Sequence, residues 1–227
     1  MFWNNAKLYD VEAHIAEIYD QGVTHTDDIE LIQKLIAKRG GLQILEPFCG
    51  TGRILIPLAE DGHTIVGIDK AGGMLARAKT KVERLSEEIQ GRISLIETDA
   101  IEEEWPCGFD VVILGGNCFY KLATPAEQEK CIKSAHFSLK LGGHIFIDNN
   151  HMEGDLDQTW QEPGIKQSFP TGRCEDGTIV ESTMEIEWYD VSQRLARFRR
   201  KTKVTLPDGA MIEACLLYTS DAADDLA

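Results

Sequence analysis

The sequence predicts an α/β fold: a doubly wound, mostly parallel sheet followed by an antiparallel β insertion. Between residues 42 and 150, short apolar runs alternate with segments of helical periodicity, which is typical of a parallel sheet covered by helices on both faces. After residue 150, apolar and polar residues alternate between turn signals, which is typical of antiparallel strands. With 227 residues, of which 43% are hydrophobic, the chain can bury one substantial core.

Two helices are predicted before the first strand, and together they make residues 1–41 an N-terminal helical cap. The segment 7–20 carries apolar side chains at helical spacing, which indicates an amphipathic helix. A second helix begins near Thr26, a suitable N-cap residue, and ends at Gly40 and Gly41. The change of period after these glycines marks the start of the core.

The predicted core, residues 42–150, contains five strands with helices between them. The strands are LQILE (42–46), HTIVGID (63–69), RISLIETDA (92–100), FDVVILGGN (109–117) and HIFIDNN (144–150). The helices are GRILIPLAED (52–61), GGMLARAKTKVERLSEEI (72–89) and TPAEQEKCIKSAHFSLKLGG (124–143). The last helix opens with a capping box, in which Thr124 is the N-cap, Pro125 the first and Glu127 the third helical residue.

Residues 151–214 are predicted to form an antiparallel β insertion, or lid. The run GTIVESTMEIEWYD (177–190) alternates, which places Val180, Met184, Ile186 and Trp188 on one face. A basic run follows, and PDG (207–209) signals another reversal. The basic run is either a nucleic-acid patch or half of a self-neutralising hairpin, and the neighbouring acids favour the hairpin. The residues concerned are Glu181, Glu185, Glu187, Arg197, Arg199, Lys201 and Lys203.

Residues 215–227 are predicted to be a non-native tail. The run CLLYTSDAADD (215–225) has no core pattern, and it resembles the translation of a sequencing-library adapter. We therefore expect the natural sequence to be interrupted near Ala214, so that its own C-terminus is missing. The alternative is a disordered acidic tail.

Charge and cysteine pattern narrow the class of function. The formal net charge of −15 would repel a nucleic-acid partner unless a local basic patch compensated. No apolar run approaches the ~20 residues of a membrane span, and the first residues lack a secretory signal pattern. The six cysteines include no CxxC pair, so we expect reduced thiols, no metal site and a cytoplasmic protein.

The glycine turn after the first strand predicts a ligand site. Open parallel sheets bind ligands at the carboxyl ends of their strands, where the strand order reverses. Gly50 and Gly52 allow close backbone approach, and the following helix N-terminus attracts a carboxylate. Glu46 adds a negative charge that suits a cationic group. An amino acid moiety carries both charges.

Acids at the ends of the next two strands indicate further groups of this ligand. Asp69 can accept both hydroxyls of a ribose, and Asp99 can accept from an exocyclic amine while Ala100 supplies a backbone N–H. Ribose, adenine and an amino acid together describe S-adenosylmethionine. The competing ligand is a nicotinamide dinucleotide, whose fingerprint requires a third glycine where this chain has Leu55.

The ordered set LEPFCGTGR, GID, TDA and LKLGGHIFID, within residues 42–148, resembles the class I S-adenosylmethionine-dependent methyltransferases of the small-molecule, glycine N-methyltransferase-like type, here C-terminally truncated. The resemblance implies a Rossmann-like sheet with S-adenosyl-L-methionine as the cofactor. It places the glycine turn at the methionine portion, Asp69 at the ribose, and Asp99 and Ala100 at the adenine. Phe48 departs from the family, which often has glycine there.

The remaining predicted cofactor contacts are Phe48, near the methionine portion, Met74, near the adenosine, and Lys70 and Gly115. The alternative for Met74 is a plain core methionine.

The acceptor side is predicted from GGNCFYKL (115–122), which resembles the GNSF step of glycine N-methyltransferase-like enzymes. This resemblance implies that Asn117 touches a small substrate, and Tyr120 can wall the pocket. His151 is a candidate base, although a lone loop histidine is more often solvated. We expect a small-molecule methyl acceptor, with nitrogen as the acceptor atom. Because proximity and desolvation carry most of the rate, a neutral amine requires no dedicated base.

Two other functions stay open. The run NCFY (117–120) superficially resembles the N-P-P-Y loop of adenine-N6 or protein-glutamine methyltransferases, but both prolines are absent and the net charge opposes a nucleic acid. The other is a non-catalytic nucleotide-binding module that kept the fold. The sequence leaves the acceptor and the oligomeric state open, and it predicts no membrane partner.

Overall fold

The structure, a computed structural model, describes residues 5–119, 121–122, 124–149, 164–190, 192 and 195–221. These residues belong to two units, each with its own sheet. One unit comprises residues 24–119 and 124–149, and the other comprises residues 1–23, 120–123 and 150–227.

The first unit is built on a five-stranded parallel sheet with the order β3-β2-β1-β4-β5. Its strands are β1 (Gln43–Pro47), β2 (Thr64–Asp69), β3 (Ile93–Glu97), β4 (Phe109–Leu114) and β5 (Leu139–Ile147). Its helices are α2 (Asp27–Ile36), α3 (Leu55–Glu60), α4 (Gly72–Val82), α5 (Glu87–Gln90) and α6 (Pro125–Ser138). The strand order reverses between β1 and β4, so the predicted doubly wound sheet is confirmed.

The core of this sheet consists of aliphatic side chains from its central strands and the helix after the glycine turn. Ile44 and Leu45 of β1, Leu55 and Leu58 of α3, and Ile113 of β4 are all 0% exposed. Burying one such side chain stabilises the fold by about 1.5–3 kcal/mol, so this packing fixes β1 and α3 and holds the turn between them.

Several element bounds differ from the sequence predictions. The predicted helix 72–89 is two helices, because the chain leaves α4 after Val82 and Ser86 caps the short α5 by accepting from the Ile89 N–H. α6 stops at Ser138, and β5 begins at Leu139 rather than at His144. The capping box of α6 is confirmed. Thr26 is the N-cap of α2, but its side chain makes no capping hydrogen bond.

The second unit combines α1 (Asn5–Gly22) with an antiparallel sheet in the order β6-β7-β8-β9. The strands are β6 (Ile165–Arg173), β7 (Ile179–Asp190), β8 (Leu195–Thr205) and β9 (Met211–Asp221). Ile18 of α1 packs with Cys174, Val180 and Val204. Gly172 makes room for this helix, since a Cβ there would lie 2.9 Å from Ile18 Cδ1.

The register of the β7–β8 hairpin places acids opposite bases, as the self-neutralising interpretation requires. Glu181 is opposite Lys203, and Glu185 is opposite Arg199. The prediction that Trp188 shares a face with Val180 is wrong. A bulge between Ile186 and Trp188 shifts the register, so Trp188 lies on the opposite face of the sheet from Ile186. Trp188 is 44% exposed.

The second half of β9 is formed by residues 215–221, which pair with β8. That residues 215–227 are non-native stays a prediction, and residues 222–227 lie outside the described part. All six cysteines are free thiols. Among the described residues, no helix is both long and apolar enough to cross a membrane.

Candidate active site

The turn after β1 is held in a conformation that favours glycine. Gly50 and Gly52 have φ of +54° and +76°, in the left-handed region. The Cys49 N–H donates to the Ile68 carbonyl at 3.0 Å, which fixes the turn against the end of β2. Phe48 also has a positive φ, +62°, so the chain carries a phenylalanine in a glycine conformation. The ring is half-buried at this position.

Asp69, at the end of β2, joins the glycine turn to the loop before α4. Its Oδ2 accepts from the Gly50 N–H at 2.8 Å, and its Oδ1 accepts from the Ala71 N–H at 2.8 Å. Each carboxylate oxygen has a second lone pair that these bonds leave available. The carboxylate is therefore fixed in place and still able to accept two hydroxyl groups.

Asp99, just after β3, is held by a similar set of bonds. Its Oδ1 accepts from the Ile101 N–H at 2.9 Å, and Lys70 Nζ lies 3.1 Å from its Oδ2. Partial burial opposes ionisation, but these bonds outweigh it and hold the pKa of Asp99 below its ordinary value. Ala100 is buried, and its carbonyl accepts from Trp105 Nε1 at 2.7 Å. The end of β3 thus offers a charged acceptor at a fixed position.

Glu46 lies on β1, opposite Gly67 of β2, and its side chain is inside the fold. The residue is 5% exposed, and its Oε2 has no hydrogen-bond partner among the described residues. Burial raises the pKa of Glu46 to about 8, against the attraction of Arg53 and with the help of nearby Asp69 and Asp28. An acid at this position is neutral over much of the range below pH 8.

An ion pair that the sequence analysis missed lies beside this acid. Arg53, directly after the glycine turn, donates from Nη1 and Nη2 to the two carboxylate oxygens of Asp28, at 2.8 and 2.5 Å. Nη1 also donates to the carbonyl of His25. The pair is nearly buried, with side-chain exposures of 14% and 6%. It ties the first turn of α2 to the glycine turn.

The segment after β4, which contains Gly115 and Asn117, lies at the same edge of the sheet as the glycine turn. β4 pairs with β1, with Val112 opposite Leu45. Gly115 packs tightly, since a Cβ there would lie 2.4 Å from Ile54 Cδ1. Asn117 has a φ of +58°, and its N–H donates to the carbonyl of Asp148 at 3.2 Å.

The structure describes most of the predicted site residues, but not all of them. Met74 is half-buried in the first turn of α4, and Lys70 is exposed apart from its contact with Asp99. Asn149, which the sequence analysis missed, has a buried Oδ1 without a hydrogen-bond partner among the described residues. Tyr120 and His151 lie outside the described residues. No regular pattern marked Asn149 or the Arg53–Asp28 pair in the sequence.

Comparison with known proteins identifies the family. The model of a family described as a methyltransferase domain matches residues 38–197. The chain belongs to this methyltransferase family. The prediction of a class I S-adenosylmethionine-dependent methyltransferase is confirmed as to family and fold.

The curated relatives of this methyltransferase are distant. It is 24% identical over 190 residues to a glycine/sarcosine N-methyltransferase of Halorhodospira halochloris, covering 77% of this chain and 66% of the relative. It is 30% identical over 111 residues to a ubiquinone biosynthesis O-methyltransferase of Pseudomonas putida, covering 49% of this chain and 45% of the relative. The chain spans about half to two thirds of the length of the curated relatives first matched.

A solved structure of an S-adenosylmethionine-dependent methyltransferase from Clostridium acetobutylicum has the same fold. It superposes with a TM-score of 0.66 at 18% identity, covering 95% of this chain and 82% of that chain. The likeness supports the predicted Rossmann-like methyltransferase sheet and the additional antiparallel sheet.

Proposed function

We propose that this chain uses S-adenosyl-L-methionine to methylate a small molecule in the cytoplasm, with nitrogen as the acceptor atom. The observation that carries the proposal is the Asp69 carboxylate, which bonds both the glycine turn and the loop before α4 at the reversal of strand order. In that crevice the backbone of the glycine turn can approach a ligand closely, and the Asp69 carboxylate is a fixed acceptor for the hydroxyls of a ribose.

The residues present fit such a donor. The backbone at Gly50 and Gly52 leaves room for the methionine portion, and the unused lone pairs of Asp69 suit the two ribose hydroxyls. Asp99 is held ionised by Lys70 and the Ile101 N–H, so it can accept from the exocyclic amine of adenine. Met74 and Phe48 are half-buried beside these groups, and their apolar side chains would line the donor.

When bound, the donor supplies an electrophilic methyl group on a sulfonium sulfur. The protein's part is to hold the acceptor nitrogen in line with the sulfur–methyl bond and to exclude water. We assign the orientation of the acceptor to the amides of Asn117 and Asn149 at the carboxyl ends of β4 and β5. Tyr120 remains a candidate pocket wall. The substituted ammonium then loses one proton, either to solvent or to His151.

Nitrogen is proposed as the acceptor atom on two grounds. The run GGNCFYKL (115–122) resembles the corresponding step of glycine N-methyltransferase-like enzymes, and a glycine/sarcosine N-methyltransferase is among the matched relatives. An O-methyltransferase also matches, over a shorter stretch of this chain.

The test is a calorimetric titration of the chain with S-adenosyl-L-methionine, followed by a metabolite screen that scores release of S-adenosylhomocysteine. We expect saturable 1:1 binding, and turnover with one class of small amine. Absence of binding would contradict the donor assignment. Binding with turnover only on hydroxyl acceptors would contradict the nitrogen assignment and leave the methyltransferase proposal standing.

A further inference from the structure

β5 is an edge strand of the parallel sheet, and its outer side is open. It pairs with β4 on one side, and no other described strand pairs with it. The Asp148 N–H donates to the Leu114 carbonyl at 2.9 Å, so the backbone groups of Asp148 face β4. Successive residues of a strand direct their backbone groups to opposite sides. Gly143, Ile145 and Ile147 therefore direct theirs to the open edge, where they are available to a further strand.

This edge lacks the features that keep most edge strands apart. Native proteins protect such edges with lysines, prolines or bulges. The segment GHIFI (143–147) contains no lysine or proline, and the register irregularity of β5 lies before His144. Ile147 is 41% exposed, and the neighbouring apolar residues Leu141 and Phe137 are exposed as well. A regular and apolar edge of this kind favours pairing with another strand.

The opposite edge of the same sheet, β3, is different. The Thr98 N–H donates to the Asp69 carbonyl, so the backbone groups of Glu97 face the open side of β3. The Glu97 side chain is exposed, and a charged side chain on an edge strand opposes the addition of another strand. The two edges therefore differ in whether a charge protects them.

We propose that the open edge of β5 binds the same edge of a second copy of this chain, so that two five-stranded sheets join into one sheet of ten strands. A two-fold axis relates the two copies, which makes the pairing antiparallel. The axis passes between Ile145 and its equivalent in the second copy. Gly143 then lies opposite Ile147 at both ends of the pairing.

The backbone determines this register. In an antiparallel pair, two opposite residues exchange both of their hydrogen bonds when each directs its N–H and carbonyl to the other. Pairing centred on Ile145 uses Gly143, Ile145 and Ile147 of both copies in this way. Gly143 has no side chain to obstruct Ile147, and on the other face His144 lies opposite Phe146. No lysine or carboxylate of one copy opposes a like charge within this ladder.

The charge of the chain predicts how this association responds to salt. Each copy carries a formal net charge of −15, so two copies repel each other at low ionic strength. The edges that meet are apolar, and their pairing depends on backbone hydrogen bonds that salt screens little. We therefore expect the dimer to become more stable as salt is raised from about 0.05 to about 0.5 M. An interface held by ion pairs would respond in the opposite direction.

The first experiment combines sedimentation equilibrium of the full chain with residue-resolved amide hydrogen exchange. A small interface is weak, so we expect a monomer–dimer equilibrium over about 1–300 μM. The amides of Ile145 and Ile147 should exchange rapidly in the monomer and become protected in the dimer. The amides of His144 and Phe146 face β4, so they should be protected at both concentrations and serve as internal controls.

The second experiment places the same charge on each edge of the sheet. Ile147 of β5 and Ile96 of β3 are similarly exposed, at 41% and 39%. Ile147→Lys should weaken the association by roughly tenfold or more, because lysine protects an edge strand. Ile96→Lys is the matched control and should leave the association unchanged. Thermal melting of both variants checks that each still folds.

A third experiment tests the register by disulfide cross-linking under mild oxidation. The exposed Cys107 and Cys215 are first replaced by serine, so that the remaining thiols are buried. In this background, Ile145→Cys should give a covalent dimer, because directly opposite residues have Cα atoms about 5.5 Å apart. Ile147→Cys should not, because the two copies of that residue would lie about 14 Å apart.

Each outcome supports or overturns the pairing. A monomer at every concentration would overturn it, and so would protected Ile145 and Ile147 amides in the monomer, since a segment of the same chain would then cover the edge. A dimer that Ile147→Lys leaves unchanged, or that Ile145→Cys does not cross-link, would be formed through another surface. None of these measurements uses the methyl donor, so their failure leaves the proposed function untouched.

Discussion

Glu187 of the antiparallel sheet and Glu46 of the parallel sheet are both glutamates on strands, and their surroundings differ completely. Glu187 keeps 22% of its side chain exposed and forms ion pairs with Arg197 and Arg199. Glu46 is buried with one oxygen unpartnered. Glu187 therefore has two cationic partners within its own sheet. Burial disfavours the ionised form of Glu46. Buried ionisable groups of this kind concentrate where ligands bind.

The backbone shows the same contrast. In the parallel sheet, Phe48 and Asn117 adopt left-handed conformations at the carboxyl ends of β1 and β4. Among the described residues, these are the non-glycine positions with positive φ, and the antiparallel sheet has none. Left-handed backbone at non-glycine residues thus marks the first unit, while the second unit places acids opposite bases across its strands.

The largest expected effect comes from breaking a buried ion pair rather than an exposed one. Arg53→Met leaves Asp28 unpaired at 6% exposure, and we expect the free energy of unfolding to fall by about 3–5 kcal/mol. Arg199→Met, the counterpart in the antiparallel sheet, should cost less than about 1 kcal/mol, since that pair is solvated. Urea unfolding of both variants measures the difference. Equal losses would contradict the contrast.

The second effect is the pH dependence of stability. Glu46 binds its proton more tightly in the folded chain, where its pKa is about 8, than in the unfolded chain, where it is near 4.5. The folded state therefore holds more protons between these values, and the free energy of unfolding should decrease as the pH rises from about 4.5 to about 8. Glu46→Gln should flatten the slope in urea unfolding at a series of pH values. An unchanged slope in that variant would show that other groups cause it.

The smallest effect concerns backbone strain. At position 48, glycine relieves the positive φ and alanine does not, so Phe48→Gly should be more stable than Phe48→Ala by about 1 kcal/mol. In the antiparallel sheet the order should reverse, because Ala196 is a buried strand residue and glycine there costs about 0.5–1 kcal/mol. Thermal melting of the three variants against the parent chain tests this. If Phe48→Ala were more stable than Phe48→Gly, the backbone at position 48 would not be strained.

Local sequence patterns were sufficient for part of this architecture. The glycine turn and the capping box of α6 were predicted because each depends on residues close together in the chain. The Arg53–Asp28 pair joins residues 25 positions apart, and no periodicity of the sequence predicts such a contact. The exposure of Trp188 was missed because a bulge adds one residue to β7, and the sequence carries no mark of it.

The most direct test of the central claim compares Asp69→Ala with Asp110→Ala by calorimetric titration with S-adenosyl-L-methionine. Asp110 lies in the same sheet, accepts from the Gln43 N–H and pairs with Lys140, so its loss controls for a missing carboxylate that only supports the fold. We predict that Asp69→Ala weakens donor binding by about 1–3 kcal/mol, through loss of charge-assisted hydrogen bonds, while Asp110→Ala leaves the affinity unchanged. Unchanged affinity in Asp69→Ala would contradict the account.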